Sequence, residues 1–485
     1  MIDTEALKRK ILDLTISGRL TQHVSEDGTS DELIELIVRR RSELIKQKLI
    51  KKYIAEPIAE NEKPIDIPDS WRWVRLGTIA SVNGGKRIPA GRKLTTENTG
   101  YKYIRVSEMK NYSVNTETIM YVPEDIYPKI QNYTISSKDV YITVAGTIGN
   151  VGTVPASLDG ANLTENANKI VFDIIDQTWL MYTLDSSLIQ KVIANSTTQV
   201  AQPKLAIKRI QDFVLPFPPV AEQRRIVAII ESAFALVDKI DELQQQYANN
   251  ITSLNKKILD LAVRGKLVPQ DPNDEPASVL LKKIEEEKLK LIKEGKIKKQ
   301  KALPAITEDE IPFDIPGSWK WVRLEDVTKS ITDGDHQAPP QTETGIPFLV
   351  ISNVSSGFMD FSNTRHVPEE YFEKLSADRK ATKCDILFTV TGSYGIPMKV
   401  ETDQEFCFQR HIALIKPMID ANFLVMLLKS PLVKDQCDRV ATGTAQKTVG
   451  LGSLRNILVP IPPVNEQIRI LETLKRTIPI AENLN

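Results

Sequence analysis

The sequence predicts two pseudo-symmetric domains joined by long antiparallel coiled-coil helices, and three observations carry that expectation. First, segments recur at a nearly constant offset. DIPDSWRWVRL (Asp66–Leu76) returns as DIPGSWKWVRL (Asp314–Leu324), VLPFPPVAEQ (Val214–Gln223) as LVPIPPVNEQ (Leu458–Gln467), and KILDLTISGRL (Lys10–Leu20) as KILDLAVRGKL (Lys257–Leu267). Such self-similarity is the mark of a duplicated unit. Second, each Glu-Gln pair follows a Pro-Pro stop and opens a long helical pattern. Third, the chain ends complete that pattern. Leu7, Ile11 and Leu14 correspond to Leu254, Ile258 and Leu261, while Ile470 and Leu474 correspond to Ile226 and Ile230. The two termini together map onto one copy of the central helix, and two-fold-related units place such helices antiparallel.

The elements follow in order. Residues 1–65 form an amino-terminal helical region, half a spacer followed by a charged helix. Residues 66–215 form the first domain and 216–313 a central spacer with its own charged helix. Residues 314–460 form the second domain and 461–485 the closing half spacer. In the central spacer the seam runs Ile226, Ile230, Ala233, Val237, Ile240, Gln244, Tyr247, Ile251, Leu254, Ile258 and Leu261, apolar at every place but Gln244. A mean spacing of about 3.5 residues is that of a coiled coil. The span from Ile226 to Leu261 gives roughly 54 Å of helix at ~1.5 Å per residue, with Gly265 and Pro269 as its stop. Gln244 either sets the register against a partner helix or is a tolerated polar defect. Residues 30–54 and 276–300 read as a matched pair of helices rich in Lys, Arg and Glu. They are either solvated amphipathic faces or docking surfaces for a partner or for phosphates. Between the matched flanks, 77–213 and 325–457 share much less, through drift or because two reading surfaces face different targets. Fainter echoes survive, DVYITVAGTIG (Asp139–Gly149) against DILFTVTGSYG (Asp385–Gly395) among them.

A chain of 485 residues with 41% hydrophobic content has material for two or more cores. No long apolar run or apolar leader is visible, so a soluble, unexported, cytoplasmic protein is expected. Cys384, Cys407 and Cys437 are an odd number without a CxxC pair, which argues against a disulfide framework or a thiolate zinc site. The 63 basic and 63 acidic residues cancel, so charge by itself gives no support to nucleic-acid binding. No phosphate-binding GxxxxGK[ST] loop, strand-following GxGxxG or Asn-Pro-Pro-aromatic tetrad is present. His23, His336, His366 and His411 lack ligand spacing, so no metal is expected. A nuclease-like set, Asp69, Glu108 and Lys110, has no counterpart in the second copy, where Gly317 replaces Asp69. No catalytic residues are expected.

What remains are polar loops at matched places. NGGKRIPAGRK (83–93) offers Lys86, Arg87, Arg92 and Lys93 to phosphates or guanine edges, and its paired glycines let backbone approach a duplex. The second copy has TDGDHQAPPQ (332–341), with Asp335, His336 and Gln337 as hydrogen-bonding groups. Gly146-Thr147-Ile148-Gly149 and Gly392-Ser393-Tyr394-Gly395 are matched strand-end turns. QVAQPK (199–204) supplies Gln199, Gln202 and Lys204, and GTAQK (443–447) supplies Thr444, Gln446 and Lys447. Glutamine can hold adenine with two bonds, and lysine pairs with phosphate. Arg105, Arg410 and His411 complete the candidate DNA-contacting set.

The repeated flanks and spacers, together with GKLVPQDPNDEPA (Gly265–Ala277), resemble the specificity subunit of type I restriction-modification enzymes. The resemblance covers nearly the whole chain and is specific in the repeats. It implies two α/β target-recognition domains, each with a strongly twisted sheet, joined by an antiparallel coiled coil that acts as a ruler. It implies that each domain reads one half of a bipartite, asymmetric site in double-stranded DNA, and that the subunit has no catalytic residues or cofactor. Two methyltransferase (modification) subunits would carry S-adenosylmethionine, and motor-nuclease (restriction) subunits would use ATP and magnesium. The alternative is a repeat-based protein–protein scaffold without DNA readout.

Overall fold

The computed structural model describes residues 1–22, 24–197, 204–334, 339–444 and 446–482. By its internal contacts the chain forms two units, Met1–Gln244 and Gln245–Asn485. In the first, Arg72–Arg75 pairs antiparallel with Val214–Phe217, Arg72 opposite Phe217 and Arg75 opposite Val214. This ribbon joins the chain's entry into the domain to its exit. Between its strands lies an antiparallel sheet in the order Ser81–Gly84, Ala167–Val171, Val140–Thr143, Val151–Thr153. A mixed sheet follows the order Met120–Tyr121, Lys102–Ile104, Ala161–Leu163, Thr134–Ile135, with the two middle strands parallel.

The second unit repeats this topology. Lys320–Arg323 pairs with Leu458–Ile461. The antiparallel sheet runs Thr328–Asp333, Ile412–Pro417, Ile386–Thr389, Pro397–Lys399. Its mixed sheet has Arg365–Val367, Ile346–Leu349 and Cys407–Phe408, the last two parallel. The α/β architecture therefore persists where sequence identity does not. Alternate side chains of one strand serve two cores, as the two-residue period of a strand requires. Val140 and Ile142 face the helix-covered core while Tyr141 enters the other. Ile386 and Phe388 are divided from Leu387 in the same way. The covering helices are Gln177–Asp185 and Ser187–Thr197 in the first unit, Ala421–Lys429 and Pro431–Val440 in the second.

The spacer is a single helix, Val220–Val263, of 44 residues. It starts directly after Pro218-Pro219, earlier than the apolar seam does, because the Glu-Gln pair already lies in its first turn. Gly265, at φ +66°, ends it. In the first unit, Thr4–Ile16 runs antiparallel to the first half of this helix. Lys8 pairs with Asp238 at 2.5 Å, Thr4 Oγ1 donates to Asp241 at 3.0 Å, and Gln244 bonds both the N–H and the carbonyl of Ile2. The one polar seam residue thus engages the start of the opposing strand of the coiled coil. In the second unit, Ile258 and Ala262 share a core with Ile470 and Leu474 of the helix Val464–Glu482. Leu254 departs from the expected seam: it is 48% exposed, and Asn255 is half-buried beside it.

The charged helices are shorter than their sequence patterns, Ser30–Lys46 and Ala277–Lys293. Left-handed residues end both, Lys48 at φ 59° and Gly295 at φ 68°. The N–H groups that follow turn back to Leu44 and Leu291. No described helix is long and apolar enough to cross a membrane.

Several joints around the spacer and domain occur twice between equivalent residues. Trp71 Nε1 donates to Glu222 at 2.9 Å and Trp319 Nε1 to Glu466 at 2.8 Å. Arg75 forms a two-nitrogen fork on Glu62, while Arg323 gives one terminal nitrogen, Nη2, to both oxygens of Glu310. Arg225 pairs with Asp27, and Arg469 with Asp274. Gly18 (φ +76°) and Gly265 sit against the prolines and tryptophans of the recurring segments, where a Cβ would lie 2.6 Å from Pro68 and 2.5 Å from Pro316.

Gly18→Ala and Gly265→Ala should each lower stability by more than ~1 kcal/mol, read as a drop in melting temperature of the full chain, because strain and collision act together. Trp319→Phe should cost roughly 1–3 kcal/mol by leaving a buried acceptor short of a donor. Burial raises the Glu466 carboxyl above its ordinary range, against the opposing bonds from Trp319 and Gln270. Its folded form therefore keeps its proton to higher pH than the unfolded chain does. The group favours folding at low pH, and that contribution disappears as pH rises through the raised value. Since the indole N–H supports the ionised form, the Trp319→Phe penalty should be larger at neutral pH than near about pH 5, measured by denaturant titration at both.

Candidate nucleic-acid interface

Sheet register brings the polar loops together. In the first unit Asn168 lies opposite Gly84, Ala167 opposite Thr143, and Ile142 opposite Val151. The loop after Gly84, the turn before Ala167 and the turn 144–150 therefore open at one end of the same sheet. Leu205 N donates to Val144 O at 3.0 Å, which brings exposed Lys204 to that end. The second unit builds the same end: Asp333 lies opposite Ala413, Ile412 opposite Thr389, and Phe388 opposite Pro397. There Val449 N donates to Val390 O at 2.8 Å.

The matched turns are built alike. Thr143 Oγ1 donates to Thr147 O and accepts from Asn150 N at 2.9 Å. Thr389 Oγ1 donates to Ser393 O at 2.6 Å and accepts from Ile396 N at 3.0 Å. The glycines take the left-handed conformations these turns need, Gly146 at φ 80° and Gly392 at φ 73°. Thr147 and Ser393 are held exposed at the two tips. Close approach accounts for a further glycine pair. A Cβ on Gly85 would lie 2.0 Å from Thr164 O, and one on Gly334 would lie 1.9 Å from Phe408 O.

The candidate side chains differ in how they are held. Lys86 N donates to Leu163 O at 2.8 Å, and its ammonium sits 5.5 Å from the Tyr133 ring centre. Arg87 donates through Nε to Glu165 at 2.5 Å. Arg92 is tied through a terminal nitrogen to Asp125, and Lys93 is exposed. Arg105 binds Glu108 through both its backbone N–H and its guanidinium, and it also donates to Thr118 O. Glu108 is 1% exposed and accepts from Ser107 as well. That carboxylate is committed to the fold, which removes the basis for the nuclease-like set of Asp69, Glu108 and Lys110.

In the second unit Arg410, His411 and Gln446 meet in one cleft of about 410 Å³, with Thr391, Thr448 and Gly450 as neighbours. His411 Nδ1 lies 3.1 Å from Gln409 Nε2, and burial, then the Arg410 charge, pulls its pKa below the usual value. Thr444 and Lys447 are exposed on the same hairpin, whose Lys447 O accepts from Gly392 N at 3.0 Å. Tyr394 is held to Asp438 at 2.7 Å, with the Lys434 ammonium 4.1 Å from its ring centre, so its hydroxyl is tied to the neighbouring helix. Gln199, Gln202, His336 and Gln337 lie outside the described residues.

Two further residues belong to this end of the first unit. Val144 N donates to Asn166 O as Val390 N does to His411 O, and Thr164 N donates to Ile104 O as Gln409 N does to Leu349 O. Thr164-Glu165-Asn166 is therefore the counterpart of Gln409-Arg410-His411. The signal lay in the repeat, since Arg410 and His411 mark equivalent positions one copy earlier.

The family described as the type I restriction modification DNA specificity domain matches residues 68–252 and 316–484. The chain belongs to this family. It is similar to the EcoAI and EcoEI type I restriction enzyme specificity subunits of Escherichia coli, each 27% identical, with 99% of this chain and 89% of the relative covered. A chain solved in a study of complex assembly and conformational transition in the type I R-M system superposes with a TM-score of 0.57 at 20% identity, covering 87% of this chain and 93% of its own. The HsdS subunit from Thermoanaerobacter tengcongensis gives 0.50, with the same identity and coverage. Each specificity domain thus carries its polar loops on a duplicated scaffold.

Gly85→Ala and Gly334→Ala should each destabilise their own specificity domain by roughly 1–3 kcal/mol, the usual cost of overpacking. Gly452→Ala, with open space around its Cβ position, should leave the melting temperature near that of the parent chain.

Proposed function

We propose that this specificity subunit reads a bipartite, asymmetric site in double-stranded DNA, one domain per half-site, without catalysing any step itself. The observation that carries the reading is the convergence of diverged polar loops on the same end of two equivalent sheets. A common scaffold with different loop chemistry is what two unlike half-sites demand. The loop tips are polar, which fits base edges and phosphates better than the apolar contact expected of a protein scaffold.

In this reading the chain holds no cofactor and works in the cytoplasm. Two methyltransferase subunits would supply S-adenosylmethionine, and motor-nuclease subunits would supply ATP and magnesium chemistry. Two copies of one scaffold suit two copies of one partner. Zero net charge fits a division of labour in which the methyltransferase subunits grip much of the phosphate backbone.

Co-expression with the modification subunit, followed by methylation-sensitive sequencing of host DNA, tests the proposal. A gapped motif methylated at adenine in both halves is expected; an assembled complex that leaves no new methylation would refute it. The isolated chain should bind duplex DNA weakly and with a shallow salt dependence, as measured by titration at several ionic strengths.

A further inference from the structure

Three arginines lie among the DNA-contacting candidates of the first domain, and they differ in which nitrogen is engaged. Arg92 and Arg105 each give a terminal nitrogen to a carboxylate, so their outer edges are occupied. Arg87 gives only its inner Nε to Glu165. Among the described residues its two terminal nitrogens have no protein partner, and the side chain is 73% exposed.

The carboxylate behind Arg87 is itself fixed. Glu165 is 21% exposed and accepts from Thr164 Oγ1 at 3.1 Å through its second oxygen. Burial works against its ionised form, but the bonds from Arg87, its own backbone N–H and Thr164 outweigh this and hold the carboxyl below its usual range. The backbone leading into Arg87 is pinned as well. Gly85 N donates to Ala167 O at 3.1 Å, Lys86 N to Leu163 O at 2.8 Å, and Tyr103 Oη to Lys86 O at 2.9 Å. An arginine anchored through Nε and free at its outer fork is preorganised for a planar target with two adjacent acceptors. In duplex DNA that target is the O6 and N7 edge of guanine in the major groove.

We propose that Arg87 reads a guanine in the half-site of the first domain, with Glu165 as its positioning residue. The inference rests on the DNA-reading function proposed above. A phosphate contact would also attract Arg87, but it requires no fixed orientation of the guanidinium plane and carries no sequence preference.

The test uses the full chain assembled with its modification subunits. The methylated motif of the parent complex is determined first, and binding is then measured on duplexes substituted at each position of that motif. Arg87→Ala should reduce discrimination at one G·C pair by about five- to a hundredfold, the range of a bidentate contact, and leave the other positions unchanged. Arg87→Lys should not restore it, because an ammonium lacks the fork. Glu165→Gln should give a smaller loss at the same base pair with an unchanged melting temperature. If Arg87→Ala weakens all duplexes alike and flattens the slope of log K against log salt by about 0.9, the residue is a phosphate contact and the proposal fails. If Glu165→Gln leaves discrimination at the Arg87 position untouched, the positioning role fails. A parent complex with no sequence preference would instead overturn the DNA-reading function on which both rest.

Discussion

Glu222 and Glu466 are carboxylates buried almost completely, each in the first turn of the helix that follows a Pro-Pro pair. Each accepts from a tryptophan indole immediately before the first strand of a domain ribbon and from a side chain in the segment after a spacer helix, Thr21 in one unit and Gln270 in the other. The helix N-terminus adds favourable dipoles. Loss of one of these partners leaves a buried acceptor unsatisfied, at a cost of roughly 1–3 kcal/mol. Three stretches distant in sequence are thus bound at one point, and the entry strand, exit strand and spacer of each unit take their places around it. The next residue extends the joint, with the Gln223 amide donating to Pro218 O and the Gln467 amide to Pro462 O.

With that joint fixed, the domain between the ribbon strands can diverge while its topology stays constant. The loops at the far end of each antiparallel sheet then vary in chemistry without varying in position. The turn that presents Glu165 in the first domain presents Arg410 in the second. The loop crossing it in the first domain carries Lys86 and Arg87. Glu165 and Arg410 thus put opposite charges at equivalent places in the two domains, in a chain of zero net charge. Carboxylate and guanidinium groups at equivalent positions present different hydrogen-bonding chemistry on one scaffold.

The duplication, the paired domains, the long spacer and the absence of familiar catalytic motifs were legible in the amino-acid sequence. These features are written locally: near-identical segments, an apolar period close to that of a helix, and glycine or proline at its ends. Family membership was legible for the same reason, in the flanks. Leu254 shows the limit of periodicity, since a repeat places a residue on a stripe but does not say how far the opposing helix covers it. The charged helices show another, because amphipathic text continues past Lys48 and Gly295, where left-handed backbone ends the helix.

Tertiary structure alone decided which polar residues meet. Strands of two to six residues carry little sequence signal, and the central strands Val140–Thr143 and Ile386–Thr389 are buried on both faces, so neither their order nor their register could be read from alternation. Register is what sets Gly84, Thr143 and Ala167 at one edge and gathers three separated loops into one candidate site. It also separated side chains of the same type: Arg105 serves a buried carboxylate, Arg92 a surface pair, and Arg87 stands on Glu165 with its fork outward. Composition supplied the arginines, but the Arg87 and Arg92 guanidinium groups are oriented by Glu165 and Asp125, dozens of residues away, and only the folded chain brings those partners within hydrogen-bond reach.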